Sequence, residues 1–245
     1  MRAPSSGTAS TFPQPGTERG YSRAVQFSVK DYRPDGEDAA IAEQERLRAF
    51  RRDEPLAPPR LVTGVDVSYD PASERLVAAA VTVDVSTWDT VEEVTRSGTA
   101  RFPYIPGLLA FRELPTLLEA LADLETAPDL FVCDGHGLAH PRAFGLACHL
   151  GVLLDVPAIG VAKNAPWPTD APGEERGDTA PILHEGAEVG RVLRTRTSVK
   201  PVYVSVGHRA DLDGACAAVL ELTRGTRLPE TTRRADALSR RLLKG

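Results

Sequence analysis

The chain has 245 residues, of which 42% are hydrophobic and 26% charged, and its net charge is −5. These proportions exclude a disordered polymer, and no window approaches the roughly 18 apolar residues that a membrane span needs. Taken alone, the acidic balance argues against a nucleic-acid partner.

The first thirty residues are rich in Ser, Thr, Pro and Gly and lack the apolar core of a secretory signal. They predict a disordered tail over 1–30, followed by a single domain over 31–245. Residues 37–52 read as a helix, with Ala, Ile and Leu on one stripe, and the Pro-rich stretch 53–60 breaks it. Three strands with short connections are predicted at 61–70, 76–85 and 91–101, which suggests an antiparallel meander. A Pro-bounded segment, 102–115, leads to an amphipathic helix over 116–125. A strand follows at 129–134, a helix over 140–156 and a strand over 157–163. A Pro/Gly/Asp/Glu-rich loop, 164–180, leads to strands at 187–195 and 201–206, and two helices close the chain at 211–223 and 230–243. This order predicts an α/β fold, with a mixed sheet of antiparallel meander followed by parallel crossovers, flanked by helices. Such a sheet places ligands at the carboxyl ends of its strands.

Cys133, Cys148 and Cys216 are odd in number and widely spaced, each in an apolar stretch. They read as small buried residues of a protein in a reducing cytoplasm.

Three carboxylates interrupt apolar elements. Asp66 lies between Val65 and Val67 inside a strand, where burying its charge costs several kcal/mol unless something pairs with it. Asp134 ends the apolar run Leu130–Cys133 and precedes Gly135, so an Asp-Gly turn competes with a functional role. Glu113 sits in FRELP beside Pro115, where a solvated helix residue is the ordinary reading. Together the three suit a hard divalent cation, which takes oxygen ligands and serves phosphodiester cleavage. His136 and His140 lie in a glycine-rich loop, which fits phosphate or base contacts better than a zinc site, with a hydrogen-bonded turn as the alternative. Pro141 is expected in the first turn of the helix that follows. Lys163, at a strand end, either faces the carboxylates or is an ordinary exposed lysine.

The charge is uneven. Residues 1–190 hold 17 basic and 29 acidic side chains, whereas residues 191–245 hold 12 basic and 5 acidic. The C-terminal surplus, with Arg142 and Lys163, predicts a path for a nucleic-acid backbone with salt-sensitive binding.

The strings GVDVS (64–68), FPYIPGLLAFRE (102–113), DGHGLAHPR (134–142), PAIGVAK (157–163) and LPETTRRADALS (228–239) resemble endonuclease V, in the family's order and spacing. The resemblance spans about residues 37–243. It implies an RNase H-like fold and a Mg²⁺-dependent endonuclease, with Mn²⁺ as a substitute ion. The implied substrate is DNA containing deoxyinosine, nicked at the second phosphodiester bond on the 3′ side. Carried over, Asp66 and Asp134 resemble the metal-binding aspartates, Glu113 the completing carboxylate and Lys163 the active-site lysine. Tyr104 resembles the wedge at the lesion. Pro106, Gly107, Leu109 and Gly135 would line the base pocket, with His140 and Arg142 beside it. Asp236 falls where some members carry His and others Asp, and is a further metal candidate. Many relatives read PEPTR where this chain has Pro229-Glu230-Thr231-Thr232-Arg233, Asn164 follows the lysine where Ser, Lys or Arg is more usual, and the loop 165–179 diverges. The chain is expected to act as a cytoplasmic monomer. Alternatives are an endoribonuclease acting on inosine in RNA, and a non-catalytic binding module on the same fold.

Overall fold

The computed structural model describes residues 32–244; the expected N-terminal tail lies outside the described residues. The elements are α1 (Glu37–Arg48), β1 (Leu61–Tyr69), β2 (Arg75–Asp84), β3 (Thr90–Thr99), α2 (Leu109–Leu121), β4 (Leu130–Cys133), α3 (Leu146–Leu154), β5 (Ala158–Ala162), β6 (Thr179–His184), β7 (Ala187–Leu193), β8 (Val202–His208), α4 (Leu212–Leu222) and α5 (Glu230–Lys244). One sheet runs in the order β3-β2-β1-β4-β5-β8-β7-β6. The antiparallel meander β1-β2-β3 and the parallel pairs β1-β4 and β4-β5 form the RNase H-like arrangement that the resemblance implies. Beyond these parallel pairs, β8 pairs antiparallel with β5, and β6 and β7 extend a second antiparallel block.

Both faces of the sheet are covered. Helices α1, α2 and α3 pack on one face, with Leu47, Leu114, Leu117 and Leu150 in the core. Helix α4 packs on the other face against Val132, Ile159 and Val204. There α5 also sets Ala235 and Leu238 on Ala79, Val81 and Val83 of β2. Strand β2 is therefore buried along nearly its whole length, as a near-continuous apolar run requires. Cys133, Cys148 and Cys216 are buried and free. Among the described residues, no helix is long and apolar enough to cross a membrane.

Three expected elements differ. The helix predicted from 116 starts at Leu109, and Pro115 lies inside it. Apolar periodicity runs through the proline: Phe111, Leu114, Leu117, Leu118 and Leu121 are all buried. Five such side chains, at roughly 1.5–3 kcal/mol each, outweigh the roughly 3 kcal/mol that a helical proline costs. The helix predicted over 140–156 starts only at Leu146, so Pro141 lies outside it. Turn bonds from Ala143 N–H to the His140 carbonyl (2.7 Å) and from Gly145 N–H to the Gly137 carbonyl (2.9 Å) hold residues 137–145 outside the helix. Strand β6 falls partly inside the predicted loop. Its alternation is plain, with Ala180 and Ile182 buried, but Pro181 masks it. A proline is tolerated there because β6 is the edge strand.

The seat of α5 matters for the site. A Cβ on Gly64 would stand 2.2 Å from the Thr231 carbonyl carbon, so glycine lets the start of α5 rest directly on β1. Thr231 is fully buried and its hydroxyl has no partner among the described residues. This is the position where relatives reading PEPTR carry proline. Thr231→Val keeps the shape and removes the orphaned hydroxyl, and is expected to raise stability by about 1 kcal/mol in urea unfolding. A drop would show that the hydroxyl is satisfied.

Candidate active site

Asp66 projects from the middle of β1, and Asp134 follows the last residue of β4. The two strands are parallel, with Val65 opposite Cys133, so their carboxylates come out side by side. Asp236, in the second turn of α5, comes over them because that helix lies on β1. Asp66, Asp134 and Asp236 each bring a carboxylate oxygen within 4.8 Å of the others. A cleft of about 670 Å³ is lined by these three with Glu113, Lys163 and Arg240. The structure thus brings together five of the residues predicted for the chemistry.

The carboxylates are held in specific ways. Ser239 donates to Asp66 Oδ2 at 2.7 Å, and its oxygen lies 2.8 Å from the Ser68 hydroxyl. Ser239 has one proton and the carboxylate is the stronger acceptor, so Ser68 donates to Ser239 and the chain of bonds fixes Asp66. Burial, with the charges of Asp134 and Asp236, pushes Asp66 up to about 6. Glu113, from α2, is buried and accepts from the Tyr69 hydroxyl at 3.2 Å. Burial, with the charges of Asp66 and Asp134, pushes it up to about 8. Arg112 stacks over the Tyr69 ring at 5.1 Å.

Lys163 follows β5, and its Nζ lies 2.5 Å from Asp134 Oδ2 and 3.9 Å from Asp236 Oδ1. Burial would lower its pKa, but the hydrogen bond to Asp134 and the surrounding carboxylates raise it, so the ammonium stays charged. Arg240 pairs with Asp236 at 3.0 Å. Two cations thus face four carboxyls. The raised carboxyls of Asp66 and Glu113, clustered with these charges in a cleft, are the pattern of a functional site.

The remaining predicted residues lie at the start of α2 and in the loop after β4. Tyr104 is 70% exposed and Leu109 38%, and Pro106 is also exposed. His140 and Arg142 do not face solvent freely. His140 Nε2 lies 3.0 Å from the Gly107 carbonyl, and its Nδ1 accepts from the Arg142 N–H at 3.2 Å. Burial pushes His140 down to about 4, so it is neutral, with its proton on Nε2 toward Gly107. Arg142 donates to the same carbonyl at 2.7 Å. Both residues therefore hold the loop that carries Tyr104. Gly135 packs against Leu146 at the start of α3.

Many of the C-terminal arginines already have partners within the fold. Arg191 pairs with Glu188 and Asp213. Arg194 and Arg227 donate to backbone carbonyls, including those of Val199 and Lys163. Arg233 and Arg234 pair with Glu230, and Arg224 stacks on Trp88 at 4.7 Å. Most of this local surplus is spent on holding the fold. Residue patterns also passed over Ser239, Tyr69 and Gln44. Ser239 stands three residues after Asp236, on the same helix face, and that spacing was the available signal.

A family model described as Endonuclease V matches residues 44–237. The chain is 57% identical over 215 residues to the endonuclease V of Streptomyces avermitilis, covering 86% of this chain and 94% of that protein. The crystal structure of that S. avermitilis protein matches with a TM-score of 0.83, over 86% of this chain and 94% of its own. The Bacillus subtilis endonuclease V structure is 32% identical, with a TM-score of 0.83, covering 89% of this chain and 96% of that one. A Ciona intestinalis endonuclease V, solved in complex with a 24mer DNA containing an inosine followed by a ribo-adenosine, is 29% identical. Its TM-score is 0.72, covering 83% of this chain and 96% of that one.

Proposed function

The chain belongs to the endonuclease V family, and from that premise we propose that it is a Mg²⁺-dependent endonuclease acting on deoxyinosine in the repair of deaminated DNA. It nicks the second phosphodiester bond 3′ to the lesion, leaving 3′-hydroxyl and 5′-phosphate ends. The observation that carries this reading is the convergence of Asp66, Asp134 and Asp236 within 4.8 Å, in one cleft with Glu113 and Lys163. The inosine-bearing DNA held by the Ciona relative supports the substrate.

The donor set fits the ion. Three carboxylates offer hard oxygen ligands, without sulfur or imidazole, which suits Mg²⁺ and admits Mn²⁺. The chemistry a bound ion supplies here is polarisation of a water and offset of the phosphate charge. The rest is the work of the chain's own residues. Ser239 and Ser68 fix the orientation of Asp66. Lys163 keeps a charged ammonium in the cleft, where a phosphate is to be held. Glu113 titrates near 8, so its carboxyl holds or releases a proton close to neutral pH. Tyr104, presented between Pro103 and Pro106, is the wedge that keeps the duplex open while the base leaves the stack.

Tyr104→Ala is expected to lower the preference for an inosine duplex over the matched adenine duplex by about tenfold, since stacking on an aromatic ring is worth roughly 1–3 kcal/mol. Its exposure means that folding and the response to Mg²⁺ stay as in the parent protein. An equal loss of Mg²⁺ response would refute this division of roles. The ribo-adenosine after the inosine in the Ciona complex favours a second reading, cleavage of inosine in RNA. Matched DNA and RNA strands cut side by side separate the two.

A further inference from the structure

One buried polar side chain lies outside the cleft and belongs to neither the metal site nor the wedge. Gln44 is on α1 and only 1% exposed, on the stripe it shares with Ala40 and Leu47. A buried primary amide is costly unless its groups are bonded, and this one is fully engaged. Its Oε1 accepts from Arg142 Nε at 2.6 Å. Its Nε2 donates to the Gly107 carbonyl at 3.1 Å and to the Phe144 carbonyl at 3.0 Å. The guanidinium has no acceptor capacity, so the amide cannot be turned around. Its Nε2 also lies 3.3 Å from His149 Nε2.

Three bonds converge on one atom. The Gly107 carbonyl receives Gln44 Nε2, His140 Nε2 and an Arg142 guanidinium N–H, at 3.1, 3.0 and 2.7 Å. Gly107 itself has φ +80°, and a Cβ there would stand 2.8 Å from the Arg142 guanidinium. It closes the turn in which Leu108 N–H bonds the Ile105 carbonyl at 2.9 Å. Tyr104 is three residues upstream.

We propose that Gln44 is a positioning residue for lesion recognition: it orders Arg142 and, with it and His140, pins the Gly107 carbonyl and so aims the Tyr104 turn. This rests on the reading of Tyr104 as the wedge. Gln44 touches neither the cleft carboxylates nor the scissile bond, so its loss acts on substrate choice and binding. A displacement of about 1 Å in a positioned group costs up to about a hundredfold.

The test uses the full chain with two substitutions. Gln44→Met keeps the volume and removes every bond. Gln44→Glu keeps an acceptor for Arg142 and replaces the donor facing Gly107, so it stays folded if loss of the Arg142 partner unfolds the first. Amide exchange over residues 103–109 is expected to quicken by about tenfold in either variant. The inosine-to-adenine preference is expected to fall by about tenfold, mainly through KM, with the Mg²⁺ midpoint unchanged. In a Tyr104→Ala background, Gln44→Glu is expected to change the preference no further. Unchanged exchange at 103–109, a lost Mg²⁺ response, or an additive effect on top of Tyr104→Ala overturns the proposal. If the parent protein cuts inosine and adenine duplexes alike, the functional reading has failed instead, and quickened exchange tells that outcome apart.

Discussion

Asp66→Asn is expected to lower the rate of cleavage at an inosine by at least about a thousandfold, roughly 4 kcal/mol of transition-state stabilisation, while affinity for the inosine duplex stays within about threefold. Asparagine keeps the shape, and its oxygen still accepts from Ser239, so the tie between β1 and α5 survives. What is lost is the charge that, with Asp134 and Asp236, could hold a cation. In the proposed reading, contacts to the lesion come from the Tyr104 turn at the start of α2, which Asp66 does not touch. Single-turnover rates and binding measured on one inosine duplex separate the two effects. A variant that cuts within tenfold of the parent, or that loses binding as steeply as cleavage, contradicts the assignment.

The second large effect concerns stability. Without a divalent cation, the protein is expected to lose about 2 kcal/mol between pH 6.5 and 8 relative to its Glu113→Gln variant. Glu113 is buried beside Asp66 and Asp134 and titrates near 8, far above an ordinary glutamate. A carboxyl whose folded pKa is raised binds its proton more tightly when folded. Raising the pH from the unfolded value to the folded one therefore takes stability away. Asp66, near 6, adds to the loss at the lower end. The buried histidines act oppositely. Burial lowers the pKa of His136, His140, His149 and His208, so they add stability as the pH climbs through about 6.5, a gain that tails off over the next unit. The difference from Glu113→Gln isolates the share of Glu113. Urea midpoints across this range are expected to fall for the metal-free protein relative to Glu113→Gln, and to rise with added Mg²⁺ by mass action. An identical slope in Glu113→Gln would rule out Glu113 as the source of the loss.

Much of the site was legible because its residues violate their surroundings. Asp66 between two valines and Asp134 at the end of an apolar strand are anomalies that periodicity exposes. Asp236 is not anomalous: on the polar face of an amphipathic helix it reads as an ordinary solvated residue, and only the family resemblance singles it out. Its place beside Asp66 depends on the approach of α5 to Gly64, a long-range contact that no local pattern contains. Gln44 was hidden for the same reason. It stands in EQER among charged residues, although its spacing from Ala40 and Leu47 places it on the buried stripe. The misplaced elements also have local causes. Pro181 masks an edge strand, Pro115 masks the first two turns of α2, and Pro141 suggests a helix start that turn bonds around Gly145 postpone. The C-terminal arginines illustrate the limit of charge counting, because a local surplus does not say whether the charges are free or already paired.

The most direct measurement is a Mg²⁺ titration of cleavage on a duplex with one inosine, with the cut mapped to the nucleotide, beside the same duplex carrying adenine. The expected result is no cutting without divalent ion and, with it, one nick at the second phosphodiester bond 3′ to the inosine. Cutting that needs no divalent ion, or that falls equally on the adenine duplex, would contradict an inosine-directed, metal-dependent nuclease.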